Sequence, residues 1–416
     1  MTQDADPAAA RPRVRGDLAI GPALVRGGSM IHLIKDPVSG KMMTVGAKEH
    51  FIIARLDGHS TLADITDEYG AEFGRRLDDR AWGGIMATLA GRSLLEGSPP
   101  PEPAEPASDR QRPTFFHARL PLARPGPWLE RVARRMGWAF SPAFVLPALA
   151  AALLACATVA LNLGPLLEAA ARFRDTPWTG IIAIALLWGV LALHELGHGL
   201  AAVRFGARVG DIGIGWRLPL LTPYCAVEEV QLLPTRHRVY IAFSGVFVSL
   251  LVLPPALVFW LLAPEESSAH VFASVLLLFG TVAALSNFVP FFRLDGYSML
   301  NHALGTENLA RDSTGHVLSG LRERVRGVDR VGPRPPRTIR IAYVAYAVSA
   351  ALFYTALVLV FAAWWLALLA HFLDLWAAAG LLVATALAIT VGYRINVVRK
   401  RDRDGTQRLP RDKEGI

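Results

Sequence analysis

The stretch IIAIALLWGVLALHELGHGLAAV, residues 181–203, decides the fold class. It is long and apolar enough to cross a bilayer as one helix, yet its second half carries His194, Glu195 and His198. Each ionisable group costs about 2.5–3.5 kcal/mol at the centre of a membrane helix, so three of them call for a function. An HExxH run on a helix sets its two histidines one turn apart on one face, where both imidazoles reach one Zn²⁺. Glu195, beside that face, can take a proton from water at the metal. In a soluble helix the plainer reading would be two structural histidines and a glutamate; the membrane setting reverses that preference. Gly189, Gly197 and Gly199 permit close helix approach around the run.

Two histidines do not complete a catalytic site, which usually has three protein ligands and a water. A further histidine six residues after His198 is excluded, because Arg204 stands there. Glu228 and Glu229 are candidates, though in a polar loop. Asp295 is the better one, in SNFVPFFRLDGYSML (residues 286–300), where Asn287, Pro290 and Gly296 suggest a broken helix that turns a carboxylate inward. A helix cap at the membrane interface is the competing explanation for Asp295.

Further apolar runs place six spans near residues 142–163, 179–203, 239–263, 270–292, 341–368 and 375–393. The expected class is therefore mainly α: a polytopic membrane protein of about six transmembrane helices. Arginines alternate between the connecting segments. Five precede the first span, five follow the second, nine follow the fourth, and the tail from Arg394 holds eight Lys and Arg. The segments between hold two, none and none. The positive-inside rule then puts both termini in the cytoplasm, and the net charge of +8 reflects these flanks rather than nucleic-acid binding. Two cysteines, Cys156 and Cys225, give neither a disulfide framework nor a thiolate zinc pattern, and the polar, Pro-rich N-terminus reads as no signal peptide.

The spans are preceded by a tail (1–14), a small domain (15–96) and a Pro-rich linker (97–114); the membrane domain covers 115–398 and a basic tail 399–416. In the small domain, MIHLIKDPVSGKMMTV (30–45) reads as two strands about a turn. AKEHFIIARLDG (47–58) reads as a helix stopped at Gly58, and TLADITDEYG (61–70) as a second helix capped by Thr61. A third helix near 78–91 and a return strand at Leu94 and Leu95 complete an α+β winged helix-turn-helix pattern. DNA binding is disfavoured, because Asp64, Asp67, Glu68, Asp78 and Asp79 stand where phosphate contact needs Lys and Arg. Between the second and third spans, residues 207–230 alternate Ile212, Ile214, Trp216, Leu218 and Leu220, a strand or hairpin. It either pairs with an extended substrate or covers the helices.

Together, His194, Glu195 and His198 with Asn287, Pro290, Leu294, Asp295 and Gly296 resemble the HExxH and NxxPxxxLDG motifs of the site-2 protease family, over roughly residues 140–300. The resemblance implies that His194, His198 and Asp295 bind zinc, that Glu195 is the general base, and that Asn287 helps hold substrate or the oxyanion. One departure is FFRLDGY, where many relatives carry a second proline and a second glycine. The small domain resembles the PqqD-like recognition elements of ribosomally made peptide pathways, through its HLIKDPVSGKMMTV hairpin, the helix ending RLDG and the TLADI start. Such elements bind a leader peptide as an added strand. The combined expectation is a zinc metalloendopeptidase of a bacterial cytoplasmic membrane that removes the leader from a precursor peptide, as in daptide-type clusters. Its partners are then that peptide and the bilayer, with a homo-oligomer left open. A regulatory protease that frees a membrane-anchored factor, and a non-catalytic export or immunity protein, are the alternatives.

Overall fold

A computed structural model of the chain describes residues 10–99, 117–174, 177–217, 220–327 and 335–371, with scattered positions to 385. Two compact units divide after Val344.

The first unit opens with four short strands: β1 (Ala19–Ile20), β2 (Leu24–Arg26), β3 (Ser29–Lys35) and β4 (Met42–Gly46). β3 is central and antiparallel to all three, with β1 and β2 sharing one side and β4 on the other. At the β3–β4 turn, Asp36 is 2% exposed and accepts bonds from Val38 N–H, Ser39 Oγ and Arg15. Burial works against ionisation there, but these bonds outweigh it and hold the Asp36 carboxyl below its ordinary value. Three helices follow: α1 (Ala47–Ile53), α2 (Leu62–Phe73) and α3 (Asp79–Gly91). Thr61 and Asp64 form a reciprocal capping box at α2, worth about 1 kcal/mol, and Asp78 caps α3. Ile34, Ile52, Leu56, Ile65, Trp82 and Leu89 bury their side chains between sheet and helices.

Four local readings differ from the fold. The first helix stops at Ile53 rather than running to Gly58, because Leu56 turns into the core and Gly58 takes φ +83°. The second passes Gly70 and ends at Gly74, whose φ of +68° terminates it. Leu95 forms a single bridge to Val14 rather than a strand. Arg13 and Val14, assigned to the tail, bridge to Asp57 and Leu95 and so belong to the domain.

Beyond the linker come β5 (His117–Ala123) and a short amphipathic helix, α4 (Gly126–Arg135), that buries Leu129 and Ala133. Next are α5 (Pro142–Leu161), α6 (Leu163–Ala171) and α7 (Pro177–Arg204), then the hairpin β6 (Arg208–Arg217) and β7 (Leu220–Glu228). The hairpin pairs antiparallel, and β5 adds to its far side in the order β5-β6-β7, a strand absent from the sequence reading. A short turn, Val230–Leu232, leads to α8 (Thr235–Leu251) and α9 (Leu253–Leu262), which meet at Val252, just before Pro254 and Pro255. α10 (Ser268–Ser286), α11 (Asp295–Ala303), α12 (Leu309–Arg326) and α13 (Arg337–Ala370) complete the order.

Among the described residues, five helical segments are long and apolar enough to cross a bilayer: Pro142–Leu161, Pro177–Arg204, Thr235–Leu262, Ser268–Ser286 and Arg337–Ala370. The chain is therefore mainly helical and of membrane character. The fourth span ends at Ser286 rather than near residue 292. Asn287 caps α10, Pro290 lacks an N–H for a helical ladder, and the chain restarts as a helix at Asp295. Most of the expected sixth span near 375–393, most of the linker and the tail 399–416 lie outside the described residues. In the second unit the described residues are mainly the apolar continuation of α13, whose large side chains such as Leu357, Val358 and Phe361 are exposed, as a lipid-facing helix requires.

Within the first unit the small domain is docked. β2 joins the loop after α11, where Val25 N–H donates to Gly305 O at 2.8 Å and Glu307 N–H to Val25 O at 3.0 Å. Arg26 pairs with Glu307, Lys35 pairs with Glu229, and Gly27 N–H donates to Asp312. Leu232 packs on Leu24, Ile31 and Leu33 beneath these polar contacts.

Candidate metal centre

α7 and α8 pack closely because their shared face is built from small residues. Gly197 lies where an added Cβ would meet Val248 at 2.8 Å and Ser244 O at 3.1 Å, and Ser244 Oγ donates to Gly197 O. Gly199 serves another neighbour, Cys225 Sγ on β7, 2.7 Å from a Cβ built there. Gly189, the third of the glycines singled out in the sequence, faces open space.

This packing brings His194 and His198 together with Asp295, the first residue of α11. The two Nε2 atoms are 3.2 Å apart; Asp295 Oδ2 lies 2.9 Å from His194 Nε2, and Oδ1 lies 3.3 Å from His198 Nε2. Among the described residues these three form the one group of His, Cys, Asp and Glu positioned to hold a metal ion. They are largely buried, at 4%, 12% and 19% side-chain exposure.

The outward ring nitrogens are engaged elsewhere. His198 Nδ1 is 2.7 Å from Ile241 O, which can only accept, so Nδ1 carries the proton and Nε2 presents its lone pair. His194 Nδ1 is 2.9 Å from Ser249 Oγ. Two imidazole Nε2 atoms and a carboxylate therefore converge on one point, and Asp295 Oδ2, 2.9 Å from His194 Nε2, is buried without a well-aligned hydrogen bond. A single cation at that point would engage all three groups at once. The spacing agrees: Zn–N bonds of about 2.0–2.1 Å in a tetrahedron put neighbouring ligand atoms about 3.3 Å apart. Backbone approaches the centre closely on one side. An added Cβ on Gly245 of α8 would lie 2.4 Å from His198 Nε2 and 2.7 Å from His194 Nε2, so only glycine leaves room there.

Glu195 points to β7, where its Oε2 accepts from Cys225 N–H at 3.1 Å. Trp188 Nε1 donates to Leu221 O two turns earlier, so the outer edge of β7 lies along α7. The hairpin thus covers the helix, the second of its two sequence readings. Burial, with a smaller contribution from Glu195, pushes the Cys225 thiol up to about 12, and its sulfur is outside the ligand cluster.

Asn287 stands at the α10–α11 break. Its side-chain amide donates to Ala283 O and its carbonyl accepts from Gly296 N–H at 2.6 Å. A Cβ on Gly296 would meet Asn287 O and Phe288 C at 2.6 Å, so glycine here permits the close turn that delivers Asp295. Glu228 and Glu229 are not in the cluster; Glu229 is committed to Lys35 at the docking surface. Sequence reasoning missed Ser244, Gly245 and Ser249. Their only signal is a few small residues spaced along an otherwise bulky apolar span.

Comparison with known proteins adds no assignment, since no protein-family model, no curated protein and no solved structure matches the chain.

Proposed function

We propose that the chain is an intramembrane zinc peptidase of the site-2 protease type that removes the leader from a ribosomally made precursor peptide. The observation that carries the peptidase reading is the convergence of His194, His198 and Asp295 from two motifs about 100 residues apart, with Glu195 beside them. Two imidazoles and one carboxylate make three protein ligands, the number of a catalytic rather than a structural zinc site. When bound, zinc supplies Lewis acidity toward the scissile carbonyl and brings a water into nucleophilic range at neutral pH. Glu195 takes the proton from the attacking water and returns it to the leaving amine. Cys225 N–H fixes one oxygen of Glu195 and leaves the other for that exchange. Asn287 is a substrate contact in this reading, which requires its side chain to turn from Ala283.

The substrate class rests on the small domain, read as a PqqD-like winged helix-turn-helix. Its β4 pairs only with β3 among the described residues, so its other edge can accept a strand. Beside that edge runs a groove of about 460 Å³ between β4, α1 and α3, lined by Met43, Val45, Ile52, Ile85 and Leu89. An added leader strand would bond its amides to β4 and bury alternate side chains in the groove. The arginine distribution supports a cytoplasmic placement for both this domain and the metal centre. Zinc-loaded protein co-expressed with the short peptides of its own gene neighbourhood is expected to cut one of them into two fragments, read by mass spectrometry. A chelator should abolish them and added Zn²⁺ restore them; intact precursor with fully loaded protein would refute the assignment.

The docking contacts give this reading a geometry. Charge reversal in Arg26→Glu sets two carboxylates against each other beside β2 and Gly305. The expected outcome is unchanged leader affinity with cleavage slowed about ten-fold. The paired exchange Arg26→Glu with Glu307→Arg should restore the rate, measured on the same precursor.

A further inference from the structure

A cavity of about 720 Å³ opens between α4 and the end of α7, well apart from the small-domain groove. Arg134, Arg204 and Arg208 line it, with Glu130 as the one carboxylate. Neither Arg134 nor Arg204 has an ion-pair partner among the described residues, and Arg208 keeps only a 3.8 Å approach to Glu229. An excess of two positive charges therefore faces this space.

Its depth follows from the elements around it. Arg204 ends the span of α7, and α4 lies just before the first span begins at Pro142. α4 buries Leu129 and Ala133 while Arg131, Arg134 and Arg135 are exposed, the pattern of a helix lying in the interface plane. Trp128 in its first turn and Trp138 just beyond its end, at 49% and 58% exposure, are placed as interfacial aromatic residues are. Exposed Leu146 and Leu153 on neighbouring α5 offer apolar surface to acyl chains.

We propose that this cavity binds the phosphate of an anionic phospholipid. Guanidinium groups present paired donors that match phosphate oxygens, and basic pockets at the ends of membrane helices suit such headgroups. A bound headgroup would also brace α7 near its ligands, because Leu129 of α4 lies 3.4 Å from a Cβ built on Gly199, next to His198. The inference does not depend on the peptidase reading.

Native mass spectrometry of the purified full chain with phosphatidylglycerol, phosphatidylcholine or inorganic phosphate tests it. Phosphatidylglycerol should be retained in preference to phosphatidylcholine. The pair Arg134→Gln and Arg204→Gln should weaken it about 25-fold, at about five-fold per guanidinium, with metal content unchanged. Arg131→Gln with Arg135→Gln, on the same helix but outside the cavity, should leave binding intact. Equal retention of both lipids, or an equal loss in the control pair, would overturn the proposal. Full displacement of the lipid by millimolar inorganic phosphate would instead make it a soluble-anion site.

Discussion

Gly245→Ala is expected to empty the metal centre while leaving the helices in place. The added methyl carbon would sit 2.4 Å from His198 Nε2 and 2.7 Å from His194 Nε2, well inside contact distance, on the side where the two lone pairs meet. Neither ring can withdraw easily. His198 is tied to Ile241 O and His194 to Ser249 Oγ, and both bonds come from the helix that carries Gly245. Moving α8 away would break the Ser244–Gly197 contact that sets the α7–α8 spacing. Changes to groups that merely orient a ligand cost about 10–100-fold in metal affinity, and this one acts on the ligand atoms, so a loss of about 100-fold or more is expected. Metal content of the purified variant, beside wild type and His194→Ala, gives the answer. Full occupancy in Gly245→Ala would show that no ion is held where the Nε2 atoms converge.

That prediction marks the boundary of what the sequence displays. HELGH and LDG are legible because ionisable groups at membrane depth need a reason to be there, and helical spacing alone puts His194 and His198 on one face. The break before Asp295 is legible through Pro290 and Gly296. Gly245 and Ser249 are not, because a glycine or serine in a membrane helix has many packing uses and only the partner across the interface shows which applies. The sheet order is hidden for a related reason: β5 is separated from β6 by more than 80 residues, and long-range pairing leaves no periodic trace. The docking of β2 on the Gly305 loop is hidden too, since it uses backbone groups and Arg–Glu pairs of ordinary surface character. The edges of the helices shifted wherever a left-handed glycine or a buried leucine outranked the local pattern, as at Gly74 and Leu56.

Glu195→Gln separates chemistry from metal binding more sharply than any ligand change. Glutamine keeps the size of the side chain and an oxygen that can accept from Cys225 N–H, so the α7–β7 contact at 3.1 Å survives. Glutamine cannot take a proton from water at neutral pH, however, and a general base contributes typically 10²–10⁴-fold. Its loss should therefore slow precursor cleavage by about 10³-fold while zinc content stays at the wild-type level. Asp295→Ala should fail in the opposite order, losing metal first, because it removes one of three ligands. Single-turnover cleavage and metal content measured on the same preparations distinguish the two. A Glu195→Gln protein that cuts at the wild-type rate would remove Glu195 from the chemistry. If it also supports the full biological activity of the chain, the HELGH run is a binding or structural element and the non-catalytic reading takes its place.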